Sequence, residues 1–300
     1  MHFILIAICL ISGLILRSSG ILPENSHRGI NAWLLYIALP AVSLLYIPAI
    51  TWNSALILPV LMPLLVWVGA WLILKPFVRL LALDKGTQAT VLLTAGLGNT
   101  SFIGFPLTQA YFGDDGLRIA VIFDQISFIT LSTLGIMTAQ NAAHGGDAGI
   151  KTMVRNIVRF PSFLALIAAL ILPGYIRFAP LQPLLESLSA TLAPLALISV
   201  GLQIRFSEWR HQLPSLSIGL GYKLLIAPAL VLCTALAFQT RGITAQTSVF
   251  EAAMAPMVTS AILADQYRLN KTLANLMVSV GLILSIATTG LWWLILRAVL

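Results

Sequence analysis

Residues 29–74 contain no Asp, Glu, Lys or Arg, and this stretch limits most what the chain can fold into. A transmembrane helix needs about 20 predominantly apolar residues to cross the hydrocarbon core of a bilayer. The stretch is too long for one such helix and fits two, joined by a tight turn at residues 48–53. Of the whole chain, 59% is hydrophobic and only 9% is charged, against roughly 25% charged in soluble domains. This composition excludes a soluble protein.

Gaps between charged residues predict eight further spans. They cover residues 2–16, 88–112, 117–140, 159–178, 183–203, 212–238, 243–265 and 271–297. The sequence therefore predicts an all-α membrane protein with ten transmembrane helices and no separate soluble domain. The two cysteines, Cys9 and Cys233, lie in apolar stretches, where packing residues are more common than a disulfide or a metal site.

Lys and Arg residues are unevenly distributed over the loops between these ten helices. Most of the 17 lie in the odd-numbered loops, and few lie in the even-numbered loops and at the termini. The positive-inside rule places the odd-numbered loops in the cytoplasm and both termini on the non-cytoplasmic side of the cell (inner) membrane. Because the net charge of +7 is explained by these loops, we expect the lipid bilayer and not nucleic acid as a partner.

The longest polar connection, residues 141–158, divides the ten helices into two groups of five. Residues 1–140 would form the first five-helix repeat, and residues 159–300 the second, with 141–158 as a cytoplasmic linker. Five spans in each repeat give the halves opposite orientations, which is the arrangement of inverted-repeat transporters. A weak internal match, which pairs Pro40 with Pro194, accompanies this topology.

Helix-breaking residues lie in the middle of the fourth span (88–112) and of the corresponding ninth span (243–265). Backbone groups freed by such breaks find no partners in lipid, so breaks persist only where protein or a water-filled cavity supplies them. A simple proline kink would explain one break, but paired breaks in both halves indicate a central transport site. The predicted substrate-binding residues are Asn99, Thr100, Ser101, Pro106, Lys223, Met254, Pro256 and Thr259.

The first break, Gly98-Asn99-Thr100-Ser101-Phe102-Ile103-Gly104-Phe105-Pro106, resembles the N-x-x-F-x-G-x-P stretch of bacterial members of the auxin efflux carrier family. The second, residues 251–259, is similar to that family's second break, where a Met is usually followed by one or two prolines. Ala255 departs from the doubled proline often seen there. The resemblance extends over the whole chain. It implies two inverted five-helix repeats, with spans four and nine crossing at their breaks, and transport of organic anions.

Three ionisable residues, Asp124, Lys223 and Glu251, lie well inside predicted spans. A charge at the bilayer centre costs at least ~2.5–3.5 kcal/mol on insertion scales, so each needs a partner, a cavity or a function. One interpretation is a structural ion pair of Lys223 with Glu251 or Asp124. The other is that Asp124 or Glu251 carries a coupling proton, Asp124 being preferred, while Lys223 attracts an anionic substrate or releases the carboxylate on neutralisation.

These observations predict a secondary transporter of a small organic anion, such as a dicarboxylate or an auxin-like aromatic carboxylate, coupled to protons. A sodium-coupled symporter of the related bile-acid type is the nearest alternative, and an intramembrane enzyme that uses Asp124 or Glu251 as general acid or base is another. The sequence contains no phosphate-binding loop, zinc-binding helix motif or nucleophile elbow. We therefore expect no cofactor, metal or catalytic residue. The substrate, the direction of transport and the oligomeric state, including a homodimer, are left open.

Overall fold

The structure, a computed structural model, describes residues 2–144, 158, 160–172, 179–204 and 209–300. Within these residues six helices are long and apolar enough to cross a membrane. Two shorter apolar helices accompany them. The all-helical membrane architecture is thus confirmed, whereas the ten-span inverted repeat stays a prediction. Most of the predicted linker, 141–158, lies outside the described residues.

We number the described helices in chain order. They are α1 (His2–Ser18), α2 (Ser26–Ala49), α3 (Ser54–Leu80), α4 (Lys85–Gly96), α5 (100–112), α6 (114–144), α7 (Pro161–Ile171), α8 (Gln182–Gln203), α9 (Trp209–Ala237), α10 (Gly242–Ala252), α11 (Val258–Gln266) and α12 (Lys271–Val299).

The two spans with predicted breaks are each divided into two helices. Helices α4 and α5 replace the fourth predicted span, and α10 and α11 replace the ninth. Helices α4, α10 and α11 are each too short to cross a membrane alone. Helix α5 is also short, but it continues into α6 through Gly113. Gly113 has φ of +67°, in the left-handed region where glycine carries no steric cost. The helix is therefore kinked there without a separate loop.

Four spans of the described chain contain a π-helical turn. A π turn widens the helix by one residue and is frequent at functional sites. These turns lie at Leu34–Ala38 in α2, Thr100–Gly104 in α5, Leu131–Gly135 in α6 and Tyr222–Ile226 in α9. Three of them contribute a residue to the candidate site, because Leu35, Ser101 and Lys223 belong to them.

Close packing and hydrogen bonds to backbone carbonyls hold the spans together. Helices α1 and α8 cross at Gly13 and Gly201, where a Cβ added to Gly201 would lie 2.6 Å from the Leu10 carbonyl oxygen. Small residues at such a crossing let two backbones approach closely in a membrane. Tyr222 of α9 donates a hydrogen bond of 2.6 Å to the Val66 carbonyl of α3.

Candidate functional site

The two helix breaks meet and pair through their backbones. Gly98 and Pro256 form an isolated antiparallel bridge. The Asn99 N–H donates to the Ala255 carbonyl over 2.7 Å, and the Met257 N–H donates to the Leu97 carbonyl over 3.0 Å. Each break thus supplies hydrogen-bond partners that the other lost by leaving the helix. This is the protein environment that breaks at membrane depth require.

Four helix ends meet where the breaks pair, and we call this region the crossing (residues 97–99 and 253–257). Helices α4 and α10 end there, while α5 and α11 begin there. A helix carries partial positive charge at its N-terminus and partial negative charge at its C-terminus. The crossing therefore offers two N-terminal ends that favour an anion and two C-terminal ends that favour a cation.

A small cavity, which we call the crossing cavity, lies at the N-terminal ends of α5 and α11. Its volume is about 20 Å³, room for about one water molecule. Four predicted site residues, Asn99, Ser101, Asp124 and Thr259, line it. The rest of its wall is apolar and comes from Leu35, Leu39, Phe102, Phe128, Phe160, Met257 and Val258.

Asp124 joins α6 to the start of α5. Its side chain is buried, and its Oδ1 accepts a hydrogen bond of 2.5 Å from the Thr100 hydroxyl. Asn99, also buried, has an amide nitrogen that finds no hydrogen-bond partner among the described residues. The crossing cavity thus contains an acidic group and a donor that is left unused.

Glu251, the second buried carboxylate, does not line this cavity. Its Oε1 accepts a hydrogen bond of 2.6 Å from the Thr108 hydroxyl, and its Oε2 is buried without a partner among the described residues. The carboxylate packs against Gly104 so closely that an added Cβ there would meet both of its oxygens. Glu251 is consequently enclosed by protein on the α5 side.

Lys223 does not form the predicted ion pair. It is 1% exposed, and its Nζ donates to the Ala252 carbonyl over 2.9 Å. Among the described residues no ion pair joins it to Glu251 or Asp124, whereas the ion pair of Lys271 with Asp265 is a surface contact. Lys223 thus forms no direct ion pair in this conformation of the described chain, and a structural role for the pair stays a hypothesis.

The remaining predicted residues lie around the crossing and not on the crossing cavity. Pro256 forms the backbone bridge and packs against Gly281 of α12, while Met254 is fully buried. Pro106 borders a second, larger cavity of about 350 Å³. This outer cavity is bordered by His2, Tyr46, Gln109, Leu117 and Glu186, among others. Each of these five residues is near a helix end that the sequence predicts to be non-cytoplasmic.

The sequence analysis missed several residues at the site. Thr108, the donor to Glu251, and Gln125 are uncharged, so a search for charges inside spans passes over them. The Gln125 amide donates to the hydroxyls of Ser43 and Ser162 over 3.1 and 2.8 Å, and so connects α6 with α2 and α7. A long polar side chain beside Asp124 in mid-span was the available signal. Phe128 and Phe160 carried no such signal, because apolar residues are ordinary in a span.

Comparison with known proteins places the chain among membrane transporters. The profile of a family described as membrane transport proteins matches residues 2–293. An uncharacterized transporter of Methanothermobacter thermautotrophicus is 26% identical over 298 residues, covering 97% of this chain and 96% of that protein. An uncharacterized transporter of Methanocaldococcus jannaschii is 24% identical over 307 residues, covering 98% of each chain. The similarity therefore extends over the full length of these relatives.

Proposed function

Because the chain belongs to the auxin efflux carrier family of membrane transport proteins, we propose that it is a proton-coupled secondary transporter of a small organic anion. Ten spans in two inverted repeats would give alternating access to the crossing, with both termini non-cytoplasmic. One observation supports this most strongly. The N-terminal ends of two broken helices and a buried carboxylate share one cavity.

The anionic nature of the substrate follows from the groups that face the crossing cavity. The N-terminal ends of α5 and α11 leave backbone N–H groups without partners inside their own helices. The Asn99 amide nitrogen adds a buried donor that is unused among the described residues, and Thr259 adds a hydroxyl. A substrate carboxylate would satisfy these donors, as anionic groups do at half-helix N-termini in other transporters.

Proton coupling follows from the position of Asp124 in the same cavity. Two like charges about 4 Å apart repel by about 4 kcal/mol at an effective dielectric constant of 20. An ionised Asp124 would therefore oppose the anion, and a protonated Asp124 would not. Proton and anion would bind together for this reason. Glu251 is less suited, because it lines neither the crossing cavity nor the outer cavity.

The two cavities support alternating access. Phe102 lines the crossing cavity, whereas Phe105 and Pro106, on the same helix, line the outer cavity. Only the outer cavity, at about 350 Å³, is in the size range of ligand pockets, which begins at about 300 Å³. We propose that α5 separates the two compartments in this conformation, and that its movement opens the crossing cavity to a substrate.

Uptake into proteoliposomes tests this proposal. Purified protein is reconstituted and given a panel of radiolabelled mono- and dicarboxylates under an imposed pH gradient or an imposed Na⁺ gradient. We expect accumulation of at least one carboxylate that depends on the pH gradient. Accumulation that needs Na⁺ and ignores pH would favour the sodium-coupled alternative instead.

The variant Asp124→Asn tests the coupling residue. It should retain exchange of substrate across the membrane but lose accumulation driven by the pH gradient, since the group that changes charge is gone. Asp265→Asn is the matched control, because it removes a carboxylate from a surface ion pair with Lys271. If Asp124→Asn accumulates substrate with the pH dependence of the unmodified protein, Asp124 is not the coupling group.

A further inference from the structure

Lys223 is a buried cation whose ammonium group donates to a backbone carbonyl and not to a carboxylate among the described residues. Its Nζ donates to the Ala252 carbonyl oxygen, the last of α10. The side chain is 1% exposed and lines neither the crossing cavity nor the outer cavity. A buried ammonium group needs compensating negative charge, so the question is what supplies that charge here.

The ammonium group lies at the C-terminal ends of both broken helices. Besides its bond to Ala252, its Nζ is close to the first break, since a Cβ added to Gly98 would lie 3.0 Å from it. The same Cβ would lie 3.5 Å from the Glu251 carbonyl oxygen. Two helix C-termini, each with partial negative charge, therefore converge on this one side chain.

In transporters with broken helices, the C-terminal ends of half-helices and their unwound carbonyls coordinate the coupling cation. We propose that Lys223 is a tethered cation that takes the place of a free coupling cation at the crossing. This inference rests on the proposed function, because it takes the crossing to be the transport site. It accounts for a buried lysine that forms no direct ion pair with a carboxylate among the described residues. It also implies that the protein has no use for Na⁺ at these helix ends.

The backbone around Lys223 is held by bonds that do not involve its ammonium group. Tyr222 donates to the Val66 carbonyl of α3, and Trp292 of α12 donates to the Leu224 carbonyl over 2.9 Å. The residues on both sides of Lys223 are thus attached to neighbouring spans. Removing the side chain should leave the carbonyl groups in place and open a space for a small cation among them.

Thermal unfolding of the purified Lys223→Ala protein in detergent tests the inference. Tm is measured in NaCl, KCl, methylammonium chloride and choline chloride at equal ionic strength. We expect the small cations to raise the Tm of Lys223→Ala in a saturable, concentration-dependent manner, because a ligand that binds only the folded state stabilises it. Choline, which is too large for the space, should have no effect.

Three proteins serve as controls. The unmodified protein and Lys223→Arg both keep a fixed cation, so neither should gain Tm from Na⁺ relative to choline. Lys271→Ala, which removes an exposed lysine, should behave like the unmodified protein.

The inference would be overturned if none of the small cations raised the Tm of Lys223→Ala. It would also be overturned if Na⁺ raised the Tm of the unmodified protein. If Lys223→Ala cannot be purified in choline, its recovery only when Na⁺, K⁺ or methylammonium is present supports the inference, and failure in every salt contradicts it. The unfolding measurement needs no substrate. A failure to find any transported carboxylate would therefore count against the proposed function and not against the tethered cation.

Discussion

Replacing Gly104 by alanine should disturb the enclosed carboxylate of Glu251. An added Cβ would lie 3.0 Å from Oε1 and 3.1 Å from Cδ of Glu251, and closer still to Oε2. Ordinary contacts of a Cβ begin at 3.4 Å, so the whole carboxylate has to move, and Oε2 has to move furthest. The same group accepts the 2.6 Å hydrogen bond from Thr108, and movement would lengthen that bond.

The size of the effect follows from three contributions. Overpacking a filled interior costs about 1–3 kcal/mol, and losing a hydrogen bond to a charged group costs about 1.5–3 kcal/mol. Replacing glycine by alanine in a helix stabilises the folded state by up to about 1 kcal/mol, which offsets part of this loss. We therefore expect Gly104→Ala to lose about 1.5–5 kcal/mol of stability if the Thr108 bond is broken, and about 0–2 kcal/mol if it survives.

A double-mutant cycle isolates the cause. Tm is measured in detergent for Gly104→Ala, Glu251→Ala and the double variant, with Gly29→Ala as control. Gly29 lies in α2 with no atom within 4 Å of an added Cβ, so its replacement should leave Tm unchanged or slightly raised. Once Glu251 is alanine, adding Gly104→Ala should hardly lower the Tm further. Losses that add within about 0.5 kcal/mol would refute the idea that Gly104 makes room for Glu251.

Three further predictions concern the site, a helix cap and the topology. Asn99→Leu should abolish transport while the protein still inserts and folds, because its amide donor faces the crossing cavity; full substrate affinity in the folded variant would reduce the break to a plain kink. Asp84, which caps α4, accepts hydrogen bonds from the Thr87 N–H and hydroxyl, and these bonds, the side-chain bond first, lower its pKa. Asp84→Ala should thus cost about 0.5–2 kcal/mol at neutral pH, with the Tm difference from the unmodified protein shrinking as the pH falls through the lowered pKa; a difference that persists at acidic pH would contradict the role of ionised Asp84. Reporter fusions should be active in the cytoplasm at His144 and in the periplasm after Leu300, and the reverse pattern would overturn the orientation.

The sequence predicts the helices and their breaks because both depend on local composition. Insertion into a bilayer depends on the summed hydropathy of a short segment, so gaps between charges locate spans without knowledge of their neighbours. Breaks are equally local, since Gly98 and Pro256, which lie in the two breaks, carry their backbone preferences wherever they lie. Pro106, also predicted to break the fourth span, lies inside α5 instead. The meeting of the two breaks, which the family resemblance implies, is present as the bridge between Gly98 and Pro256.

The partners of buried side chains were not predictable in the same way. Lys223 and Glu251 approach the same depth in the membrane, so an ion pair was a reasonable hypothesis from depth alone. Whether they meet depends on the rotation of α9 and α10 about their axes, which packing decides. In the structure Glu251 points to Thr108, and Lys223 points to the Ala252 carbonyl. A bond to a backbone carbonyl leaves no sign in the sequence, because every residue has one.

The separation of charges at the crossing connects the two proposals. If the cation at the helix C-termini is covalently attached as Lys223, that side of the crossing cannot gain or lose a metal cation during transport. A proton is then the coupling ion, and Asp124 is the ionisable side chain that lines the cavity on the N-terminal side. Proton coupling and indifference to Na⁺ are therefore two consequences of one arrangement. A protein in which Asp124→Asn keeps its pH dependence and Lys223→Ala binds no cation would have to couple transport elsewhere, and Glu251, enclosed behind Gly104, would be the next group to test.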